Sequence, residues 1–397
     1  MEQYKDIFQK LEDLTDLEVA VFLCLVGNEH CLVDTELHAQ NDVANELALI
    51  CEDTFGLSYA VIDCSTDMSL DKFNNAILDS DTEQPYSPLS PNEGYTNADI
   101  LPFIVDETSS ARNKTSRTCS RFDNRKVVNV IIAKNFDHVS QNVQIQALEL
   151  ICSKRVYTRT ALHIAPNFFI FIPLLVSDGR ALVTRLNKHL NQHIFMSHYH
   201  DPTTGFANLE AKGDWASDDQ VSLSSVIHNS PSKPHRPHKI YPPLYEHEEI
   251  QLFRQLSHEV TMSAEVNCYL QNMVVFLRLN RAVAGGISPI ATRQFHKLAK
   301  YVKAYPYAED PFFLRFWMVT YKFDRCLASL HHVDYVPPSL VGLAARKVYR
   351  HRISISRPED DRSVLYGSDI KALDVILSNI TPEDVIDEMI SHVEAPL

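Results

Sequence analysis

Gly285-Gly286-Ile287-Ser288-Pro289 and, further along, Val333-Asp334-Tyr335-Val336-Pro337-Pro338 both have the residue pattern of a helix start. Ser288 suits the N-cap because its hydroxyl can accept a backbone N–H, and Pro289 then fits the first helical position. Pro337 or Pro338 has the same role in the second motif. Apolar residues follow that start at helical spacing: Leu340, Val341, Ala344, Ala345 and Val348. The stretch 285–353 therefore predicts packed helices.

A basic cluster closes this stretch. Its members are Arg346, Lys347, Arg350 and Arg352, in or just beyond the last turns of the second helix. Cations are favoured there because the helix macrodipole is negative at its C-terminal end. An ordinary helical bundle accounts for these features as well, so spacing alone leaves that reading open.

The order of the two motifs carries a resemblance. In the MoxR and magnesium-chelatase ATPase-subunit branch of the AAA+ ATPases, a Gly-x-Ser-Pro-Arg-Ala helix start is followed by Asp-Tyr-Val-Thr-Pro, a helix and a closing His-Arg-Ile. Here Gly286 to Pro289, Asp334 to Pro338 and His351-Arg352-Ile353 resemble those three elements. The resemblance implies that the stretch is a small helical lid and that the residues before it form an ATPase-type core.

The N-terminal half has the alternation expected of such a core. Helices are predicted at 4–25, 40–55 and 143–153, and strands at 31–33, 58–64, 127–133 and 166–172. Strands that alternate with helices predict a doubly wound α/β domain. The expected fold is therefore an AAA+-like parallel sheet flanked by helices, followed by a small all-helical lid domain.

The loop after the first strand decides whether a nucleotide can bind. A phosphate loop needs glycines, so that backbone N–H groups can close on the phosphates, together with a lysine and a Ser or Thr. Between Asp34 and Asp42 there is no glycine, lysine or arginine, although Thr35 is present. We expect Asp34, Glu36 and Asp42 to repel a triphosphate.

The other positions that the resemblance assigns to nucleotide chemistry have also changed. Lys134 and Asn135 stand where the family has the acidic pair that holds magnesium. Pro173-Leu174-Leu175 replaces a polar phosphate-sensing residue, and no clear arginine finger follows, Arg185 being the nearest candidate. Ile290 occupies the position of the lid's sensing arginine, although Arg293 lies one turn later and could substitute.

The resemblance thus marks five degenerate nucleotide-site positions: Asp34, Thr35, Lys134, Asn135 and Arg293. No catalytic residue is predicted. His189, His193, His198 and His200 form the densest histidine cluster, and the first two would share a helix face. No cysteine or Glu-x-x-His pattern accompanies them, so no metal site is predicted.

Length and composition bound the remaining choices. A chain of 397 residues can form two domains, each with its own core. We expect a core at 1–200, a flexible linker at 201–243, and a lid domain at 244–397 with an aromatic-rich insertion at 303–333 and a C-terminal helix. The insertion could be core or a partner-binding face.

Charge and cysteine usage indicate the class of partner and the compartment. The net charge of −14 makes nonspecific binding to nucleic acid weak and gives no attraction to an anionic membrane. Eight cysteines without a Cys-x-x-Cys pair are typical of reduced thiols in an intracellular protein of the cytoplasm or nucleus. The apolar runs are too short to span a membrane.

Two functions follow from these observations. The first is a catalytically degenerate AAA+ protein that acts as a scaffold or regulatory subunit through protein partners or as a homo-oligomer, with no cofactor. The second is a working ATPase of the magnesium-chelatase type that uses ATP and Mg²⁺ for metal insertion or remodelling. Nucleotide affinity distinguishes them.

Overall fold

The computed structural model describes residues 14–79, 125–159, 161–177, 186–211, 243–304, 336–377 and 379–396, together with Lys10, Leu182 and residues 228–229. Most of the predicted linker and nearly all of the aromatic-rich insertion lie outside these residues.

A six-stranded sheet forms the centre of the N-terminal half, in the order β7-β1-β6-β3-β2-β8. Its parallel strands are β1 (Cys31–Thr35), β2 (Tyr59–Asp63), β3 (Val130–Lys134), β6 (Ile170–Val176) and β7 (Met196–Tyr199). The short β8 (His228–Asn229) pairs antiparallel with β2. Two small pairs lie apart from this sheet: β4 (Arg155–Tyr157) with β5 (Leu162–Ile164), and β9 (Val283–Gly285) with β10 (Ser354–Ile355).

The helices cover both faces of the sheet and continue into the lid. In chain order they are α1 (Asp16–Gly27), α2 (Gln40–Leu49), α3 (Leu70–Ala76), α4 (Gln141–Ser153), α5 (Lys188–His193), α6 (Ala207–Ala211), α7 (His247–Glu259), α8 (Ala264–Leu279), α9 (Pro289–Ala304), α10 (Pro338–Tyr349), α11 (Ile370–Leu377) and α12 (Pro382–His392). The predicted starts at Pro289 and Pro338 are confirmed, as is the expected parallel α/β sheet flanked by helices and followed by a helical region.

Strand β6 lies further along the chain than the predicted strand at 166–172: both have seven residues, but β6 starts at Ile170. It runs through Pro173, which lies opposite Ala133 of β3, and ends at Val176. Proline lacks the N–H that a central strand normally donates, so the pattern favours an earlier end. Burial of both faces explains why the strand continues: six of its seven residues, from Ile170 to Leu175, are buried.

One apolar core joins the sheet to the lid. Buried residues of β1, β3 and β6 form a continuous cluster with α1 and α2 and with the lid helices α8, α9, α10 and α12. Tyr245 packs against the rings of Phe22 and Phe55, at centroid distances of 5.5 and 5.9 Å. Arg254 of α7 donates to the carbonyls of Leu25 and Val26 at the end of α1. The two regions therefore share a core, which differs from the expectation of one core in each.

Part of the predicted linker is folded onto the core. Helix α6 lies against α2, where the buried Glu46 carboxylate accepts the backbone N–H groups of Asn208 (3.0 Å) and Leu209 (2.8 Å). Strand β8 also falls within the predicted linker range and pairs with β2. Polar composition predicts a linker here. The contact of α6 instead depends on Glu46, a buried acid far away in the chain.

Within the described part of the chain, no helix is both long and apolar enough to cross a bilayer.

Candidate functional site

The candidate site is the crevice at the carboxyl ends of β1, β6 and β3. These strands are neighbours and run parallel, so their ends and the loops that follow them meet at one edge of the sheet. In open α/β sheets this edge is where ligands bind. Four of the five predicted nucleotide-site positions lie here: Asp34 and Thr35 at the end of β1, Lys134 at the end of β3, and Asn135 just after it.

Asp34 is buried and is held by an arginine from the lid. The Arg350 guanidinium donates two hydrogen bonds to its carboxylate, at 2.6 and 2.8 Å, and the Ser177 hydroxyl donates a further short one. The Asp34 side chain is fully shielded from solvent. The prediction that Asp34 repels a triphosphate is therefore wrong, because its charge is neutralised by a bidentate partner and lies out of reach of a ligand in solution.

Arg350 also joins the sheet to the C-terminal helix. Its Nε donates to the Glu383 carboxylate at 2.8 Å, so one guanidinium bridges β1 and α12. Burial works to lower the pKa of Arg350, but the nearby carboxylates of Asp34 and Glu383 outweigh it and raise the pKa above its usual range. Burial raises the pKa of Glu383, and Arg350 opposes that shift. The trio is an ion network that fixes the lid against the strand ends.

The side chain of Gln40 spans the crevice itself. Gln40 is the first residue of α2, and its Nε2 donates to Asn135 Oδ1 at 2.8 Å and to the Leu174 carbonyl at 3.3 Å. Asn135 adopts the left-handed conformation, with φ of 53°, and its own N–H donates to the same Leu174 carbonyl. The ends of β3 and β6 are thus tied to the start of α2 by protein hydrogen bonds.

Lys134 is occupied by neighbouring side chains. Its Nζ donates to Asn41 Oδ1 at 3.0 Å and lies 3.4 Å from an Asp63 carboxylate oxygen. Asn41 belongs to α2 and Asp63 ends β2, so the ammonium links two sheet-edge elements. Where the resemblance implies a metal-binding acidic pair, the structure places a cation and an amide.

The two other predicted residues differ in position: Thr35 lies at the crevice and Arg293 lies outside it. Thr35 is buried, and its hydroxyl donates to the His200 carbonyl at 3.0 Å, which joins β1 to the end of β7. Arg293 is exposed on α9. Neighbouring residues of that helix make the contacts to the core: Lys297 pairs with Glu29 at 2.5 Å.

The loop between β1 and α2 is short and regular. Residues Leu37–Ala39 form a 3₁₀ turn, and the Ala39 N–H donates to the Glu36 carbonyl. The acidic side chains Glu36 and Asp42 are exposed at this edge, and Glu36 lies 3.2 Å from His38.

A second layer of buried polar groups lies beneath Arg350. Lys347 is buried, and its Nζ lies 3.1 Å from His198 Nδ1. Burial lowers the pKa of Lys347 to about 8, and burial lowers the pKa of His198 well below its usual range, with Lys347 adding to that shift. The sequence predicts Lys347 as one of the cations that the macrodipole favours in the last turns of its helix. The structure instead buries it between α10 and β7.

The histidine cluster is divided between two environments. His198 and His200 are buried, the first beside Lys347 of the lid and the second beside Phe206, whereas His189 and His193 lie on α5. His193 lies 3.7 Å from the exposed Cys152 thiol, a neighbour that the sequence did not suggest. Among the described residues, no three His, Cys, Asp or Glu side chains are arranged to hold a metal ion.

Sequence reasoning missed the residues that organise the crevice: Gln40, Ser177, Arg350 and Glu383. A signal was available for one of them. An aspartate at the end of a buried strand needs a cation, and the basic cluster at 346–352 was the densest source of cations in the second half of the stretch. Nothing in the local pattern distinguished Arg350 from its neighbours.

Comparisons with known proteins bear on the fold. No protein-family model matches the chain, and no curated protein matches its sequence. Among solved structures, the chain is similar to a predicted ATPase from Cytophaga hutchinsonii ATCC 33406, with a TM-score of 0.56 and 13% identity over 100% of this chain and 98% of that one. At this identity the likeness concerns the fold alone.

A looser match is a full-length MCM homologue from Methanopyrus kandleri. It has a TM-score of 0.39 and 8% identity, and it covers 85% of this chain and 55% of that one. A TM-score this low does not support a fold assignment. The first comparison and the sheet geometry agree, and the chain has an AAA+-like α/β fold: a parallel sheet flanked by helices and followed by a helical lid.

Proposed function

We propose that this chain is a catalytically degenerate AAA+-like protein of the MoxR and magnesium-chelatase type. It acts as a scaffold or regulatory subunit of an intracellular complex, in the cytoplasm or nucleus, without nucleotide hydrolysis. The observation that carries the proposal is the bridge from Gln40 to Asn135 and Leu174 across the strand-end crevice.

The groups at this edge do not suit a magnesium nucleotide. Glycines would let backbone N–H groups converge on phosphates, and carboxylates after β3 would hold the metal. The chain has a glycine-free loop after β1, and Lys134 is already bonded to Asn41 and Asp63. A nucleotide would have to displace these bonds and approach the exposed Glu36 and Asp42.

The lid contact gives the same indication. An ATPase lid that responds to nucleotide must change its position relative to the core. Here the lid is attached through Arg350, which bonds buried carboxylates on both sides, and through an apolar core shared with the sheet. Such an attachment suits a rigid binding platform.

Calorimetric titration of the full chain with ATP and Mg²⁺ tests the proposal. We expect no saturable heat up to millimolar nucleotide, and no hydrolysis. Micromolar, magnesium-dependent binding would contradict the proposal and favour a working magnesium-chelatase-type ATPase. In that case Lys134→Ala should weaken binding, whereas Lys188→Ala, on the first residue of α5, serves as a matched control.

A further inference from the structure

The lid carries a groove outside its contact with the sheet. We call it the C-terminal groove. It is a cleft of about 420 Å³ between the end of α8 and the helices α11 and α12. Its apolar lining comprises Phe276, Leu279, Ala282, Ile376, Leu377 and Ile380.

Apolar side chains extend beyond the cleft onto the surface. Leu279 is 79% exposed, Val375 71% and Ile376 57%. Helix α11 buries little of itself: of its eight residues, Leu373 and Leu377 are buried. Exposed apolar side chains such as Leu279 and Ile376 beside an apolar cleft mark an interaction site.

The rim of the C-terminal groove is acidic. Glu388 lines the cleft and is positioned by a bond from Asn280 Nδ2 at 2.9 Å. Asp384 lies one turn earlier than Glu388, on the exposed face of α12. Arg281, the cation in the lining, is neutralised by Asp361 at 2.7 Å. The uncompensated charge around the apolar floor is therefore negative.

We propose that the C-terminal groove docks an amphipathic helix of a partner protein, with apolar residues on one face and flanking Lys or Arg residues. The apolar face fills the cleft and covers Leu279 and Ile376, and the basic residues meet Glu388 and Asp384. This inference rests on the proposed scaffold role, for which it names the class of partner.

The same charge disfavours two other occupants. A second copy of the chain would bring acidic rim against acidic rim, in a protein whose net charge is −14. An anionic lipid surface would be repelled for the same reason. A basic amphipathic helix has the complementary pattern.

Fluorescence anisotropy with designed peptides tests the proposal. The probe is a labelled helical peptide of about 18 residues, or roughly five turns, with leucines on one face and lysines on the other. Its counterpart has glutamates in place of the lysines. We expect saturable binding of the Leu/Lys peptide to the full chain, and binding of the Leu/Glu peptide about tenfold weaker or absent.

Variants locate the binding to the groove. Leu279→Gln with Ile376→Gln should weaken binding of the Leu/Lys peptide about tenfold, and Glu388→Gln should weaken it severalfold and reduce its salt dependence. The matched control is Ile145→Gln, which changes a 50%-exposed isoleucine on α4 of the core. It should leave binding unchanged. All of these side chains are exposed, so thermal unfolding should match the parent chain.

Three results would overturn the inference. They are the absence of saturable binding, equal affinity for the two peptides, and an equal loss in the Ile145 control and the groove variants. A concentration-dependent dimer that the Leu279 and Ile376 substitutions dissociate would assign the groove to a second copy instead. Nucleotide is absent from the assay, so its outcome is independent of the ATP titration.

Discussion

The strand-end crevice and the C-terminal groove differ in the polarity and in the exposure of the side chains that form them. In the crevice, Arg350, Asp34 and Glu383 are charged and buried, and each charge is satisfied by another part of the same chain. In the groove, Leu279 and Ile376 are apolar and exposed, and no described part of the chain covers them. The buried charges therefore hold the lid to the sheet, at the edge where such a fold would ordinarily bind a ligand. The exposed apolar side chains of the groove can contact another molecule.

This difference indicates which region can bind. Buried ion networks fix relative position but add little net stability, because desolvation offsets their attraction. Exposed apolar surface has the reverse property, since covering it gains free energy from whatever partner arrives. The following predictions break or sharpen the comparison.

Arg350→Met should have the largest effect. It leaves the Asp34 and Glu383 carboxylates buried without their cation, which costs about 3–5 kcal/mol of the free energy of unfolding. Urea denaturation of the full chain measures this loss. Arg357→Met changes an exposed arginine and should alter stability by less than about 0.5 kcal/mol.

The double variant Asp34→Leu with Arg350→Met sharpens this result. It removes both charges of the Asp34–Arg350 pair and leaves Glu383 as the carboxylate without its cation, so part of the stability should return. If the single Arg350 variant were as stable as the parent chain, the buried pair would not be what attaches the lid.

The free energy of unfolding should depend on pH through His200, which is buried and whose ring nitrogens make no hydrogen bond. Burial lowers its pKa from 6.5 to about 4. Between about pH 6.5 and pH 4, His200 therefore binds a proton in the unfolded chain but stays neutral in the folded chain. The stability that its neutral form allows is fully present above about pH 6.5 and is lost progressively as pH falls toward 4.

The test is the difference between the parent chain and His200→Gln. Between about pH 7 and pH 4.5 the parent should lose about 2.5 kcal/mol more than the variant. Burial raises the pKa of Asp16 to about 6, which acts in the opposite sense over the same range, and His198 acts in the same sense. Both cancel in the difference. Parallel pH profiles would contradict a buried neutral His200.

Gly286→Ala should disturb the same attachment through the backbone. Gly286 has φ of 103°, and a Cβ there would lie 2.0 Å from the Arg352 carbonyl oxygen. We expect a loss of about 1–3 kcal/mol, or more if the lid must shift. The matched control is Gly342→Ala within α10, where a Cβ meets nothing within 4 Å and should stabilise the helix by about 0.5–1 kcal/mol. Equal effects in the two variants would contradict the close approach.

Thr381→Ala should have the smallest effect. Its side chain accepts the Asp384 N–H in a capping box at the start of α12, so its loss costs about 1 kcal/mol. Because α12 carries Glu383 into the crevice and Glu388 into the groove, both regions should loosen together. Hydrogen exchange along α12 measures this. Protection that changes at one end alone would show that the two regions are independent.

The sequence predicted the fold better than the site. Apolar runs and helix starts such as Pro289 and Pro338 are local signals, and the structure follows them. The pairing of Asp34 with Arg350 joins residues more than three hundred positions apart, and no periodicity encodes such a pair. Pro173 shows a related limit: its local preference argues against a central strand, but burial between β1 and β3 prevails.

Helix α1 carries a consequence for how the protein is made. Eleven of its twelve residues are buried, and it lies between β1 and the lid helices α7 and α9. During synthesis this apolar segment leaves the ribosome before α7 and α9, the helices that cover it, have been translated. Until then the apolar surface of α1 is uncovered and open to nonspecific association with other molecules. In a chain truncated before α7, that surface would stay uncovered permanently.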